Sequence, residues 1–172
     1  MSLKKIMDMQ EQKPLVSIVV GSVSDWDTMK NCADMLENFG IPYERNAASA
    51  HRTPEKAVSI AAEARGRGIK VLIAAAGGAA HLAGTLAAHT ELPVIGVPMK
   101  GWATDGMDAL LSTVQMPRGI PVLTVAIGKA GAVNAAIAAL QMLVLSDEKW
   151  ARVLDAFRRD QTASALEAKF PD

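Results

Sequence analysis

The sequence predicts a doubly wound parallel α/β sheet covered by helices on both faces. Two patterns predict it. Short β-branched runs alternate with helical segments five times along the chain, and strand–helix–strand repetition means a parallel sheet whose faces are both buried. The right-handed crossover rule then favours a flavodoxin-like order of strands.

Taken in order, "LVSIVVG" (15–21) is β-branched, apolar and ends in glycine, the pattern of a buried strand. Ser24 and Asp27 have capping-box spacing. Met29, Cys32, Ala33, Leu36 and Phe39 then recur at helical spacing until Gly40. "YERNAAS" (43–49) reads as a second, weaker strand. Thr53 and Pro54 form an N-cap followed by proline at the first helical position. That helix runs to about Gly66–Gly68.

"VLIAAAG" (71–77) is the third strand, followed by a glycine turn and an Ala-rich helix. "LPVIGVPM" (92–99) is the fourth strand, and a helical stretch follows near Asp108–Gln115. "PVLTVAIG" (121–128) is the fifth strand. "AGAVNAAIAALQMLVL" (130–145) is an apolar helix, and Ser146–Lys169 a more polar amphipathic C-terminal helix. The 130–145 helix has few polar positions on any face, which predicts a face covered by another subunit.

Composition narrows the function classes. The 172 residues carry 18 basic and 18 acidic side chains, so nothing argues for nucleic acid or an anionic membrane surface. One cysteine, Cys32, cannot form an internal disulfide and reads as a small buried helix residue, which suits a reducing compartment and a cytoplasmic location. "MSLKKIMDMQEQK" has no apolar core region and is no secretory signal, so residues 1–14 are expected as an arm before one domain over 15–172. "VLIAAAGGAAHLAGTLAA" (71–88) is long enough to span a membrane, but Gly77, Gly78 and His81 divide it into strand, turn and helix.

In such sheets ligands bind beyond the carboxyl ends of the strands. The residues suited to chemistry fall there. After the first strand, Gly21 permits a close turn, while Ser22, Ser24 and a helix N-terminus suit a phosphate. Asp25 would repel phosphate but can accept hydrogen bonds from ribose hydroxyls. After the second strand, Arg52 can hold phosphate, Ser49 adds a hydroxyl, and His51 can exchange protons near neutral pH. After the third, Gly77 and Gly78 let backbone approach a flat ligand, beside His81. His89 reads as a surface residue. The single cysteine and three histidines lack metal-ligand spacing, and no P-loop or Gly-x-Ser-x-Gly elbow is present. What remains is metal-free acid/base chemistry on a small phosphorylated molecule.

"GSVSDWDTM", "SAHRTP", "AGGAAHLAG" and "LLSTVQMPRGIPV", in this order and spacing, resemble the bacterial class I N5-carboxyaminoimidazole ribonucleotide mutases (PurE). The resemblance covers roughly residues 15–168, including "AIGKAGAVNAA" and "RRDQTASALE". It implies a three-layer α/β sandwich in a homo-octamer, with active sites near subunit boundaries and no metal, nucleotide or organic cofactor. It implies conversion of N5-carboxyaminoimidazole ribonucleotide to 4-carboxy-5-aminoimidazole ribonucleotide in purine (IMP) synthesis. Residue by residue, it assigns Ser22, Ser24, Asp25, Ser49 and Arg52 to the ribose phosphate and His51 to catalysis. Ala76, Gly77, His81 and Leu82 would wall the imidazole and carboxylate.

The chain departs from the family pattern at Ala83, where proline is common. It also departs in "MKGWATDGMDAL" (99–110), where Gly101 and Ala109 lack hydroxyls often seen there. Two other readings stand beside the mutase. One is the related class that adds carbon dioxide directly to aminoimidazole ribonucleotide, against which the "GGAAHL" turn speaks. The other is a non-enzymatic nucleotide-binding module on the same sheet.

Overall fold

A computed structural model describes residues 13–101 and 103–170. The expected arm, residues 1–14, lies outside the described residues apart from Lys13 and Pro14. Five parallel strands form one sheet: β1 (Val16–Val20), β2 (Tyr43–Ala47), β3 (Val71–Ala76), β4 (Val94–Pro98) and β5 (Leu123–Thr124). Their spatial order is β2-β1-β3-β4-β5, the flavodoxin-like arrangement.

Helices cover both faces, making three layers. On one face lie α1 (Trp26–Phe39), α5 (Gly128–Val144) and α6 (Glu148–Glu167). On the other lie α2 (Pro54–Arg67) and α3 (Leu82–Ala87), with α4 (Met107–Val114) against β4 and β5. Strand alternation divides the core accordingly. Ile18, Ile73 and Ile95 face the first layer, while Val19, Leu72 and Val94 face the second.

The central strands are apolar because both faces are buried; every residue of β1 is buried. Ser17 is its one polar side chain, fully buried, and it donates to Glu44 Oε1 at 2.9 Å. Arg67 reaches the same Glu44 oxygen at 2.9 Å. This polar cluster joins β1, the edge strand β2 and the end of α2. At the other end of the chain, α6 packs back through buried Trp150 and through Phe157, whose ring meets Phe39 edge-on at 5.3 Å.

Several expectations are corrected. The Ser24–Asp27 capping box does not form: Ser22 caps a 3-10 turn at Val23–Asp25, and α1 begins at Trp26 without a side-chain cap. Thr53 stands at the N-cap of α2, but its hydroxyl turns back to the preceding loop instead of capping the helix. The fifth strand shrinks from eight residues to two. Its ladder pairs Ile95 with Leu123 and Gly96 with Thr124. Two residues further on it would meet Pro98, which has no N–H to donate. Gly128 then opens α5 with φ 70°, two residues earlier than the apolar pattern suggested.

Helix α5 is the apolar helix of the sequence, and it packs largely inside the chain. Much of its hydrophobic surface is covered within the chain, between the sheet, α1 and α6, with Ala132, Ala135, Ala136, Ala139, Leu140 and Leu143 buried. Ile137, Met142 and Val144 stay only partly buried, Leu145 at its end is exposed, and a second exposed apolar face lies on α4. Met107, Leu111 and Val114 follow helical spacing on α4, each about half exposed. Cys32 is buried in α1, and burial pushes its thiol up to about 12, so the native thiol is inert. Among the described residues no helix is long and apolar enough to cross a membrane.

Candidate active site

A cleft of about 570 Å³ opens beyond the carboxyl ends of β1, β2 and β3. This is where the strand order reverses. All ten residues that the resemblance assigns to a site line it: Ser22, Ser24, Asp25, Ser49, His51, Arg52, Ala76, Gly77, His81 and Leu82. Gly21, Ala50, Gly78 and Ala79 complete the lining.

The β1 loop is built by short hydrogen bonds. Ser22 Oγ accepts from the Ser24 hydroxyl at 2.8 Å and, more weakly, from Ser24 N–H at 3.4 Å. Asp25 closes this turn, with its N–H on Ser22 O at 3.1 Å. Burial raises the Asp25 carboxyl above the ordinary aspartate value, opposed by a hydrogen bond from the Ser22 backbone. A raised carboxyl favours the folded chain below its ordinary pKa. That advantage disappears as pH rises through the raised value, so holding Asp25 ionised in the cleft costs stability.

The β2 loop is braced from both ends. Ser49 Oγ accepts from the N–H groups of His51 at 3.3 Å and Arg52 at 3.2 Å. Thr53 Oγ1 accepts from Ser49 N–H at 2.8 Å and donates to Ser49 O. The Arg52 guanidinium crosses to the β1 loop and donates to Gly21 O at 3.2 Å. The cation is thereby fixed beside the two serines, where a phosphate can take its charge-assisted hydrogen bonds.

On the opposite wall, His51 Nε2 lies 2.8 Å from His81 Nδ1. The rings stand edge to face, 4.9 Å apart at 81°. One nitrogen must carry the proton and the other accept it, so two imidazolium rings cannot keep this contact. The pair sits where the small residues Ala76 to Ala79 leave room for a flat ring. His89 stays on the surface, with Nδ1 2.8 Å from Thr85 O. Among the described residues no group of three or more His, Cys, Asp or Glu side chains could hold a metal ion.

Sequence reasoning read Thr53 only as a cap and assigned no role to Ser112. Ser112 lies within the quoted "LLSTVQMP" segment, yet no local pattern shows that its hydroxyl reaches the turn after β3.

Comparison with known proteins follows the same lines. The family model described as AIR carboxylase matches residues 15–164. The N5-carboxyaminoimidazole ribonucleotide mutase of Bacillus subtilis is 56% identical over 91% of this chain and 96% of its own length. That of Pseudomonas aeruginosa is 52% identical, again over 91% of this chain and 96% of its own length. The crystal structure of Treponema denticola PurE superposes with a TM-score of 0.81 at 29% identity, covering 90% of this chain and 95% of that one.

Proposed function

The chain belongs to the AIR carboxylase family, and on that premise we propose that its cleft converts N5-carboxyaminoimidazole ribonucleotide to 4-carboxy-5-aminoimidazole ribonucleotide, with His51 as general acid and base. This is an isomerase reaction of purine synthesis. The observation that carries the assignment of roles is convergence. Loops from three strands bring Ser22, Ser24, Ser49 and Arg52, groups suited to a phosphate, and a histidine pair into one cleft.

The chemistry balances with one proton. His51 gives a proton to the exocyclic nitrogen as the nitrogen–carboxylate bond breaks and carbon dioxide is released. The ring carbon then attacks the carbon dioxide, a carbon–carbon bond forms, and the proton on that carbon passes to His51. Arg52 and the serines hold the phosphate, and Asp25 accepts hydrogen bonds from ribose hydroxyls. Ala76, Gly77 and Leu82 exclude water around the ring. Recapture while both reactants stay in the cleft is effectively intramolecular, the source of large rate advantages for positioned reactants.

The decisive experiment is a direct assay of purified protein. Turnover of N5-carboxyaminoimidazole ribonucleotide, with little from aminoimidazole ribonucleotide plus bicarbonate, is expected. The reverse preference would assign the direct carboxylase reaction, and no turnover of either would leave a binding module.

A cytoplasmic homo-octamer is part of the same reading. The half-exposed Met107, Leu111 and Val114 on α4, beside Leu123 of β5, support association between copies. Sedimentation velocity should show one species near eight chains, and a monomer would remove this part of the proposal.

A further inference from the structure

We propose that Ser112, which lies outside the cleft, is a positioning residue that sets His81 against His51. The kinetic consequence rests on the mutase reading; the geometric one does not.

The turn from Gly77 to His81 has no regular secondary structure. The helix it leads into, α3, has only six residues and no side-chain cap at its N-terminus. So short a helix cannot hold its own first turn in place. Ala80 is buried, and its N–H needs an acceptor. Ser112 Oγ supplies one at 2.9 Å from the middle of α4. The hydroxyl's own hydrogen has its shortest acceptor in Asp108 O, 2.7 Å away one helical turn earlier. Gly78 O lies 3.3 Å from the same oxygen. Ser112 therefore ties α4 to the turn through the Ala80 N–H, with Gly78 O only a weaker, competing acceptor for its single hydrogen.

A second contact from the same segment points the same way. Gly84 of α3 packs closely on Met116: an added Cβ would lie 3.0 Å from its Sδ and 3.2 Å from its Cε, so the methionine would have to give way. Residues 112–116 thus hold α3 at two points, one polar at its entrance and one apolar a turn later. His81 stands between them. Its Nδ1 meets His51 Nε2 at 2.8 Å, and such a bond weakens steeply with displacement. Without the Ser112 oxygen, the Ala80 N–H must move to find another partner, and the adjacent His81 moves with it.

Ser112→Ala and Ser112→Thr in the full chain test this, with two readouts. The first is the separation of the His51 and His81 ring nitrogens in crystal structures grown at one pH. The second is the split between kcat and KM with N5-carboxyaminoimidazole ribonucleotide. In Ser112→Ala the separation should exceed ~3.2 Å, and kcat should fall roughly tenfold to a hundredfold. KM should stay within about threefold, because the phosphate loops are untouched. Ser112→Thr keeps the hydroxyl and should restore both contact and turnover.

An unchanged separation in Ser112→Ala overturns the proposal, as does a lengthened one that Ser112→Thr fails to restore. A lengthened separation with unchanged kcat overturns the link to the reaction. If the parent protein lacks mutase activity, the mutase reading fails, while the separation still decides whether Ser112 places His81. Should Ser112→Ala unfold, Ser112→Cys keeps a side chain of similar size with only a weak acceptor and is read in the same way.

Discussion

Replacing His51 with asparagine should leave ribonucleotide binding within a few-fold and lower turnover by roughly 10²–10⁴-fold, the range a positioned proton-transfer group contributes. Binding should survive because the proposed phosphate contacts come from other side chains. Ser49 and Thr53 hold the loop through backbone and hydroxyl groups, and Arg52 reaches Gly21 O independently of the imidazole. Turnover is lost because an amide cannot carry the proton from nitrogen to carbon. A second variant separates proton transfer from mere contact. Glutamine can place an amide nitrogen close to the His51 Nε2 position, so His51→Gln can keep a partner for His81 but cannot titrate. Both variants should show this loss of turnover while binding the product measurably by calorimetry. An active His51→Gln would reduce His51 to a contact for His81.

Gly131→Ala should cause the largest loss of stability of any single-methyl change discussed for this chain. Gly131 is buried in the first turn of α5, and a Cβ there would fall on the carbonyl of Ala126, with Val97 Cγ1 3.3 Å away. The colliding atom is backbone in the segment between β5 and α5, so no side-chain rotation relieves it. Overpacking of a core typically costs ~1–3 kcal/mol, and a backbone collision belongs at or above the upper end. For a chain of this size ~3 kcal/mol lowers Tm by about 6–12 °C. Gly66→Ala is the control of opposite sign. Gly66 lies within α2, and nothing stands within 4 Å of an added Cβ. There alanine should stabilise by ~0.5–1 kcal/mol, because a helical glycine loses more conformational freedom on folding. Melting both variants at one protein concentration checks the pair, and a Gly131→Ala protein as stable as its parent would show that the Ala126 segment yields.

Most elements were legible because their signals are local. The β-branched runs at 16–20 and 71–76 are buried on both faces and carry no polar side chain but Ser17. The stops at Gly40 and Gly68 follow from φ values of 72° and 99°, which glycine adopts without strain. Helix starts were less legible. Ser22, Ser24 and Thr53 are all capping residue types, and which hydroxyl turns toward the helix depends on what else lies near. Thr53 faces Ser49 instead, and Ser22 accepts from Ser24. The fifth strand is shorter than its apolar run because strand length depends on the partner strand, where Pro98 ends the ladder.

By itself the sequence determined the class of fold, the edge of the sheet where polar residues gather, and the residues that line the cleft. The fold and the edge follow from periodicity, from glycine and proline positions, and from the rule that parallel strands present their following loops on one side, while the full set of lining residues, Ala76 and Leu82 included, came from the family resemblance. Only the tertiary structure decided how those residues meet. The 2.8 Å contact between His51 and His81 joins positions thirty residues apart. The Ser112 hydroxyl reaches Ala80 from another helix, and the α5 glycine is demanded by a carbonyl outside its helix. Each depends on distances between elements, which packing sets and local patterns do not encode.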